Sequence, residues 1–188
     1  MLIDNDFLTE QEKQHAQSLL FSNDIFWSLN KETAVQDYSL FSAVTDQKTE
    51  EHFQFCHWLK HKQHNQSPYY DYFYNNIFLK FINKHNIEHS NVFRAKLNFV
   101  TPLQKNVYQS PHVDVKIPHK VFLYYINDSD GDTIFFNEKY NGVKQELSIN
   151  QSIAPEMGKG ILFDGLTYHS PTAPKHSLYR AVLNIDFN

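Results

Sequence analysis

The side chains best suited to chemistry in this sequence are His112, Asp114 and His169. His112 and Asp114 lie between two runs typical of β-strands, 92–101 and 120–127, and His169 follows another apolar run. In an extended chain, residues i and i+2 point to the same face, so the imidazole of His112 and the carboxylate of Asp114 are expected to converge. Two imidazoles and one carboxylate can hold Fe(II) and leave open coordination positions. The same donors suit a catalytic zinc ion, so the ligand types alone leave both metals open.

A downstream arginine, Arg180, favours the iron site over zinc. It lies in the apolar run 177–185, next to Tyr179 and close to Val182. A guanidinium can bind a carboxylate through two parallel hydrogen bonds. On a strand adjacent to that of His169, Arg180 would hold an organic acid whose other end reaches the metal. The alternative is a surface ion pair, which the apolar neighbours disfavour.

The order of these residues resembles that of the 2-oxoglutarate/Fe(II)-dependent dioxygenases, and most of all their prolyl-4-hydroxylase-like branch. The resemblance covers roughly residues 92–187. Three further segments fall in the family's order, namely 121–127, 131–136 and 155–163. The opening segment, 3–9, is also similar to the beginning of such domains. Asp132 stands where the family has a second glycine, and Arg180 stands where collagen-type prolyl hydroxylases have lysine. These departures leave the oxygenase interpretation intact and put peptidyl proline in doubt as the substrate.

The resemblance implies a reaction and its cofactors. Fe(II) would be bound by His112, Asp114 and His169, with 2-oxoglutarate as cosubstrate and O2 as the oxidant. An unidentified substrate, such as a peptide side chain like proline or a small metabolite, would be hydroxylated, with succinate and CO2 as co-products. Two alternatives are a jelly-roll protein that binds a metal or ligand without turnover, and a nucleic-acid demethylase of the same superfamily.

The resemblance also assigns residues to the cosubstrate. Arg180 would bind the distal carboxylate of 2-oxoglutarate, and Tyr125 matches a family tyrosine whose hydroxyl supports that carboxylate. Tyr125 fits a core tyrosine equally well. Asn98 and Asn184 can also reach the cosubstrate from their strands. The loops 105–110 and 115–119 flank His112 and Asp114 and are expected to act as lids.

Composition narrows the class of protein. A chain of 188 residues is expected to form one domain, and its formal net charge of −4 provides no general basic surface for nucleic acid. The single cysteine excludes an internal disulfide and fits a reducing compartment. We see no signal segment and no apolar run long enough to span a membrane, and we expect a cytoplasmic protein without a membrane partner. The substrate and the oligomeric state stay open.

Residues 1–90 are predicted to form a helical support. Thr9 and Glu12 have the spacing of a capping box, which predicts a helix over about 10–22. A second helix is predicted over 50–62, and three histidines in and just after it, His57, His61 and His64, have helical spacing. Because no acidic or cysteine ligand accompanies them, we expect a solvated face and not a metal site. A third helix is predicted over 70–85, whose aromatic stripe is expected to pack on a sheet.

Residues 91–188 are predicted to form the catalytic core, a double-stranded β-helix, or jelly roll, with the helices packed outside. The protein is therefore expected to be mostly β with N-terminal α-helices. Along 92–100 the pattern alternates: one face is apolar and the other carries Arg94, Lys96 and Asn98. In an antiparallel sandwich such a polar face is usually exposed to solvent, which is our expectation. The alternative is that it lines a barrel mouth and meets an anionic ligand.

Overall fold

Twelve strands and a small set of helices build the described part of the chain. The computed structural model describes residues 1–31, 41–42, 52–61, 66–104 and 108–188. The helices are α1 Glu10–Leu19, α2 Tyr70–Phe73, a π-helical turn Tyr74–Phe78, and α3 Leu79–Lys84. The strands are β1 Leu2–Asp4, β2 Ser28–Asn30, β3 Phe41–Ser42, β4 Gln54–His61, β5 Val92–Val100, β6 Lys120–Tyr125, β7 Thr133–Lys139, β8 Gln145–Glu146, β9 Ile149–Ile153, β10 Gly160–Asp164, β11 Thr167–Pro171 and β12 Arg180–Phe187.

Two antiparallel sheets carry the fold. The large sheet has the strand order β1-β10-β6-β12-β5-β4-β2, and the small sheet has the order β11-β7-β9. The chain before β6 extends the small sheet, because isolated bridges pair Tyr108 with Thr172 and His112 with His169. β3 and β8 form a separate parallel pair. The histidine of the His-x-Asp tripeptide therefore lies directly beside the strand of the distal histidine.

The two sheets pack face to face around an apolar core. This core combines side chains of the large sheet with two from the small sheet: Val121, Leu123, Tyr125, Ile161, Phe163 and Val182 with Phe135 and Ile153. Side chains alternate between the faces of a strand, so the inner faces of both sheets supply this core. The predicted fold class, a jelly roll with helices outside, is confirmed.

The helices cover the outer face of the large sheet. The ring of Phe122 on β6 lies 5.7 Å from that of Phe78 and 4.8 Å from that of Phe81, measured between centroids. The predicted aromatic stripe is fully buried, which confirms its packing role. The capping box of α1 is also present, with Thr9 and Glu12 bonded reciprocally. Within the described residues, no helix has the length and apolar character needed to cross a membrane.

The helix predicted over 50–62 is wrong, since β4 occupies Gln54–His61 and pairs with β2 and β5. The register shifts between Trp58 and Lys60, which interrupts the alternation of buried side chains along β4. The spacing of its apolar residues therefore resembles that of a helix. Residues 1–90 are consequently not a purely helical support, because β1, β2 and β4 belong to the large sheet.

The prediction that the three histidines lie on a solvated face is also wrong for His57. This residue is 8% exposed, and its ring contacts the carbonyl oxygen of Phe26 at 3.0 Å and the hydroxyl of Ser67 at 2.8 Å. His64 lies outside the described residues, as does the part of the predicted lid at 105–107.

The polar face of β5 points into the molecule, contrary to our expectation of solvent exposure. Lys96 is 6% exposed, and it lines an internal cavity together with Asn98 and Val100. The opposite face, with Ala95 and Leu97, packs under the helices. Because the helices cover the outer face, the polar side chains turn toward the small sheet, where the candidate site lies.

Candidate metal centre and its cavity

His112 and His169 are held side by side by the backbone of the small sheet. The N–H of each residue donates to the carbonyl oxygen of the other, at 2.9 and 3.0 Å. Such a hydrogen-bonded antiparallel pair places both side chains on the same face. The ring centroids are 4.6 Å apart. The sheet register alone therefore brings the two imidazoles together.

Each imidazole is oriented by its own chain. Nδ1 of His112 lies 3.1 Å from the carbonyl oxygen of Ser110, and Nδ1 of His169 lies 3.1 Å from that of Thr167. A carbonyl oxygen can only accept, so Nδ1 carries the proton in both rings and Nε2 keeps a free lone pair. This arrangement is usual for histidines that bind metals.

Asp114 completes a cluster with the two histidines. The three side chains each offer one ligand atom, and these three atoms lie within 4.8 Å of one another. Oδ2 of Asp114 is 3.5 Å from Nε2 of His169. Burial, helped by the neighbouring His169, lowers the pKa of His112 to about 3, so the metal-free ring is neutral at pH 7. Two imidazoles and one carboxylate fit Fe(II) with open positions, and the predicted triad is brought together.

The carboxylate of Asp114 is fixed by two residues of the large sheet. Nη1 of Arg94 lies 2.8 Å from Oδ1, and Nδ2 of Asn184 donates to Oδ2 at 3.0 Å. Burial would raise the pKa of Asp114, but Arg94, His169 and Lys96 together outweigh burial and hold this pKa well below its usual range. Arg94 and Asn184 thereby keep Asp114 ionised and aimed at the histidines.

Arg180 is buried at the start of β12, with 3% of its surface exposed. Its Nε donates to the carbonyl oxygen of Gly131 and its Nη2 to the hydroxyl of Thr133, both at 2.7 Å. Among the described residues, no carboxylate forms an ion pair with this guanidinium. Burial lowers the pKa of Arg180, with Tyr125 opposing the effect, and arginine remains charged in proteins. Arg180 is therefore an inward-facing cation and not part of a surface ion pair.

Tyr125 belongs to the core and contacts Arg180 both directly and through Thr133, since the guanidinium carbon lies 5.6 Å from the centre of the Tyr125 ring. Its hydroxyl donates to Oγ1 of Thr133 at 2.6 Å, and it is not among the residues that line the cavity. Since Oγ1 of Thr133 already accepts from both Tyr125 and Arg180, its own proton is left for a partner in the cavity. Sequence reasoning missed Thr133, although it lies at the start of the strand that follows Asp132.

The two asparagines predicted to reach the cosubstrate both line the cavity. Oδ1 of Asn98 accepts from the thiol of Cys56 at 3.2 Å. Asn184 contacts Asp114, and its Oδ1 is buried without a protein partner among the described residues. Their role toward a cosubstrate stays a prediction.

The candidate metal centre and Arg180 open on the same cavity, which has about 440 Å³ of empty space, part of it continuous with solvent. Its lining is polar at the metal end and toward Arg180, with apolar side chains between them. The residues that line it are Gln54, Lys96, Asn98, Val100, His112, Asp114, Leu123, Thr133, His169, Pro171, Arg180, Val182 and Asn184. Lys96 and Arg180 both contribute positive charge to this space, so it is suited to an anionic ligand.

Comparison with solved structures identifies the fold. No family model and no curated protein matches the sequence. An oxidoreductase of the 2OG-Fe(II) oxygenase family from Burkholderia pseudomallei superposes with a TM-score of 0.64 at 10% identity, covering 100% of this chain and 84% of that one. The chain has the fold of the 2-oxoglutarate/Fe(II) oxygenases.

Two other solved structures show how widely this fold is used. The viral collagen prolyl hydroxylase of Paramecium Bursaria Chlorella virus-1, in complex with 2-oxoglutarate, gives a TM-score of 0.52 at 14% identity and covers 99% of this chain and 94% of that one. The non-heme α-ketoglutarate-dependent carbocyclase SnoK from nogalamycin biosynthesis gives 0.61 at 8% identity, with coverages of 99% and 78%. The resemblance seen in the sequence is thus confirmed for the fold.

Proposed function

We propose that this protein is an Fe(II)- and 2-oxoglutarate-dependent oxygenase. The observation that carries the proposal is a shared cavity: the cluster of His112, Asp114 and His169 opens on the space that contains the buried guanidinium of Arg180. A metal site alone would fit many proteins. A metal site facing a buried cation without a carboxylate partner among the described residues suits a chelating dicarboxylate.

The metal would be held by Nε2 of His112, Nε2 of His169 and the carboxylate of Asp114. The Nδ1 hydrogen bonds of both histidines hold the tautomer that this requires. Three protein ligands leave room for other donors at the metal, whereas a structural zinc site would be closed by four.

The cosubstrate would be held at its far end by Arg180 and Thr133. The guanidinium supplies charge, and the free hydroxyl proton of Thr133 supplies a further donor to the same carboxylate. Apolar side chains of Leu123 and Val182 also line the cavity. Fe(II), 2-oxoglutarate and O2, when bound, supply the oxidising chemistry that hydroxylates a substrate C–H bond and yields succinate and CO2.

The substrate is not assigned by the fold. Solved structures of this fold include a collagen prolyl hydroxylase and a carbocyclase, so both peptide side chains and small molecules are compatible with it. The Asp132 and Arg180 departures noted above put peptidyl proline in doubt as this substrate.

The proposal is tested by titrating 2-oxoglutarate into the Fe(II)-loaded protein without oxygen and following the metal-to-ligand charge-transfer band. We expect a saturable band in the wild type and none in His169→Ala or Asp114→Ala. His15→Gln, which changes an exposed histidine of α1, is the matched control and should leave the band unchanged. A wild-type protein that binds Fe(II) but develops no band would rule the proposal out, and so would an intact band in either metal-site variant.

A further inference from the structure

Lys96 is a second buried cation in the cavity, and the proposed binding of iron and 2-oxoglutarate does not use it. It lies on β5, opposite Asn184 of β12 on one side and Trp58 of β4 on the other. The residue is 6% exposed and lines the cavity. Its ammonium nitrogen is 5.8 Å from the centre of the Trp58 ring.

The ammonium group has no ion pair within the part of the chain that the structure describes. Asp114 is close enough to attract it, but the carboxylate oxygens of Asp114 already contact Arg94 and Asn184. Removing an ammonium group from water without a partner is costly. A buried lysine that faces a cavity in this way indicates that an anion from outside the protein completes its interactions.

Lys96 lies too far from Arg180 to bind the same carboxylate. Arg180 pairs with Val100 across the sheet, and Lys96 lies four positions earlier on the same strand. Four residues of a strand span about 13 Å, and both side chains point to the same face. Arg180 therefore serves the far end of the cavity, and Lys96 serves the end near the metal.

The three cations of the site differ in their anionic partners. Arg94, Lys96 and Arg180 are balanced in part by the carboxylates of Asp114 and Asp186. A divalent metal and a doubly charged 2-oxoglutarate would cancel each other. With 2-oxoglutarate on Arg180, Lys96 is the cation of this cavity that has no anion within ion-pair distance among the described residues.

We propose that Lys96 binds an anionic group, a carboxylate or a phosphate, of the primary substrate. The proposal rests on the proposed oxygenase function and adds the substrate class to it. A neutral peptide side chain would leave the buried ammonium group without an ion pair, whereas an anionic substrate pairs with it and is positioned beside the metal. Lys96 would then discriminate an acid from the corresponding amide.

Binding of small anions tests this directly, because Trp58 is a fluorescent reporter next to Lys96. The protein loaded with Fe(II) and 2-oxoglutarate without oxygen is titrated with acetate and, separately, with inorganic phosphate at constant ionic strength. We expect a saturable change in emission with at least one of them, and the preferred anion identifies the substrate group. Lys96→Met should weaken this binding by about tenfold or more. The chain has two tryptophans, Trp27 and Trp58. Trp58→Phe should remove the signal, because Trp58 is the tryptophan that pairs with Lys96 across the sheet.

The absence of a saturable response in the wild type overturns the assignment, and so does an unchanged affinity in Lys96→Met. The same variant should bind 2-oxoglutarate within about threefold of the wild type. A loss comparable to that in Arg180→Ala would place Lys96 on the cosubstrate and also overturn it. If 2-oxoglutarate fails to bind the wild type, the oxygenase proposal falls first. If it binds normally and no anion responds, only the Lys96 proposal falls.

Thermal unfolding of the metal-free protein distinguishes a binding role from a structural one. Lys96→Met replaces an unpaired buried charge by an apolar chain of similar length, so its Tm should be equal to or higher than that of the wild type. A markedly lower Tm would show that the ammonium group stabilises the fold through protein contacts, which contradicts the proposal.

Discussion

Nη1 of Arg94 lies 2.8 Å from Oδ1 of Asp114, the only carboxylate of the candidate metal cluster. The same nitrogen lies 2.5 Å from Oδ2 of Asp186. Burial raises the pKa of Asp186, and the charge of Asp114 raises it further. One guanidinium therefore holds two buried carboxylates together, and the geometry of the metal centre depends on a residue that does not bind the metal.

Replacing Arg94 should destabilise the metal-free protein strongly. In Arg94→Met, two buried carboxylates lose their cation, and the free energy of unfolding should fall by on the order of 3–5 kcal/mol. Arg94→Lys should recover part of this loss. The measurement is urea denaturation at neutral pH. Lys139→Met is the matched control: its ion pair with Asp164 is exposed, so the loss should be below about 1 kcal/mol. Equal losses in both variants would contradict the role given to Arg94.

Arg180 should determine the affinity for 2-oxoglutarate and not that for the metal. Arg180→Ala leaves the cosubstrate carboxylate unpaired in a buried site, which should cost on the order of 3–5 kcal/mol, or roughly a hundredfold or more in Kd. Arg180→Lys should restore only part of the affinity, because an ammonium group cannot donate two parallel hydrogen bonds. The anaerobic charge-transfer titration measures both. Binding by Arg180→Ala within about threefold of the wild type would remove the main support for the cosubstrate.

Thr133 should be coupled energetically to Tyr125. Thr133→Val keeps the shape and removes the hydroxyl, so the buried donors of Tyr125 and Arg180 lose an acceptor, at a cost of about 1–3 kcal/mol in unfolding free energy. Tyr125→Phe removes one of those donors. The double variant should therefore be more stable than the sum of the two single losses predicts, by about 0.5 kcal/mol or more. Additive losses in urea denaturation would show that Thr133 and Tyr125 act independently.

The site residues that can be identified from the sequence are those whose positions follow from short-range spacing or from their order along the chain. His112 and Asp114 share a face because two residues of an extended chain do, and His169 and Arg180 follow in a recognisable order. The partners of Asp114 could not be found in this way. Arg94 meets Asp186 because β5 and β12 pair in one register, and a shift by one residue would turn every side chain to the other face.

The helical part of the fold was predictable where a stripe or a cap is continuous in sequence. The aromatic stripe of α2 to α3 and the capping box of α1 are of this kind. β4 was not predictable, since its bulge near Trp58 hides the alternation and its state depends on pairing with β5. The burial of Lys96 likewise depends on the helices, which cover the opposite face of β5.

The metal-free protein should lose stability as the pH falls, and His112 should be one cause. Burial, together with His169, lowers the pKa of His112 to about 3, whereas an unfolded histidine titrates near 6.5. Between these values the unfolded chain binds a proton that the folded chain does not, so protonation favours unfolding. Above pH 6.5 His112 does not reduce the free energy of unfolding. Below pH 6.5 this free energy decreases by up to about 1.4 kcal/mol per pH unit because of His112.

Urea denaturation of the metal-free protein between pH 7 and pH 5 measures this effect. His112→Gln cannot titrate, so its unfolding free energy should fall less steeply with pH than that of the wild type. His15→Gln changes an exposed histidine and should keep the wild-type slope. Identical slopes in the wild type and His112→Gln would show that His112 is protonated as readily in the folded protein as in the unfolded chain. Its Nε2 would then not be held in the neutral form that a metal requires.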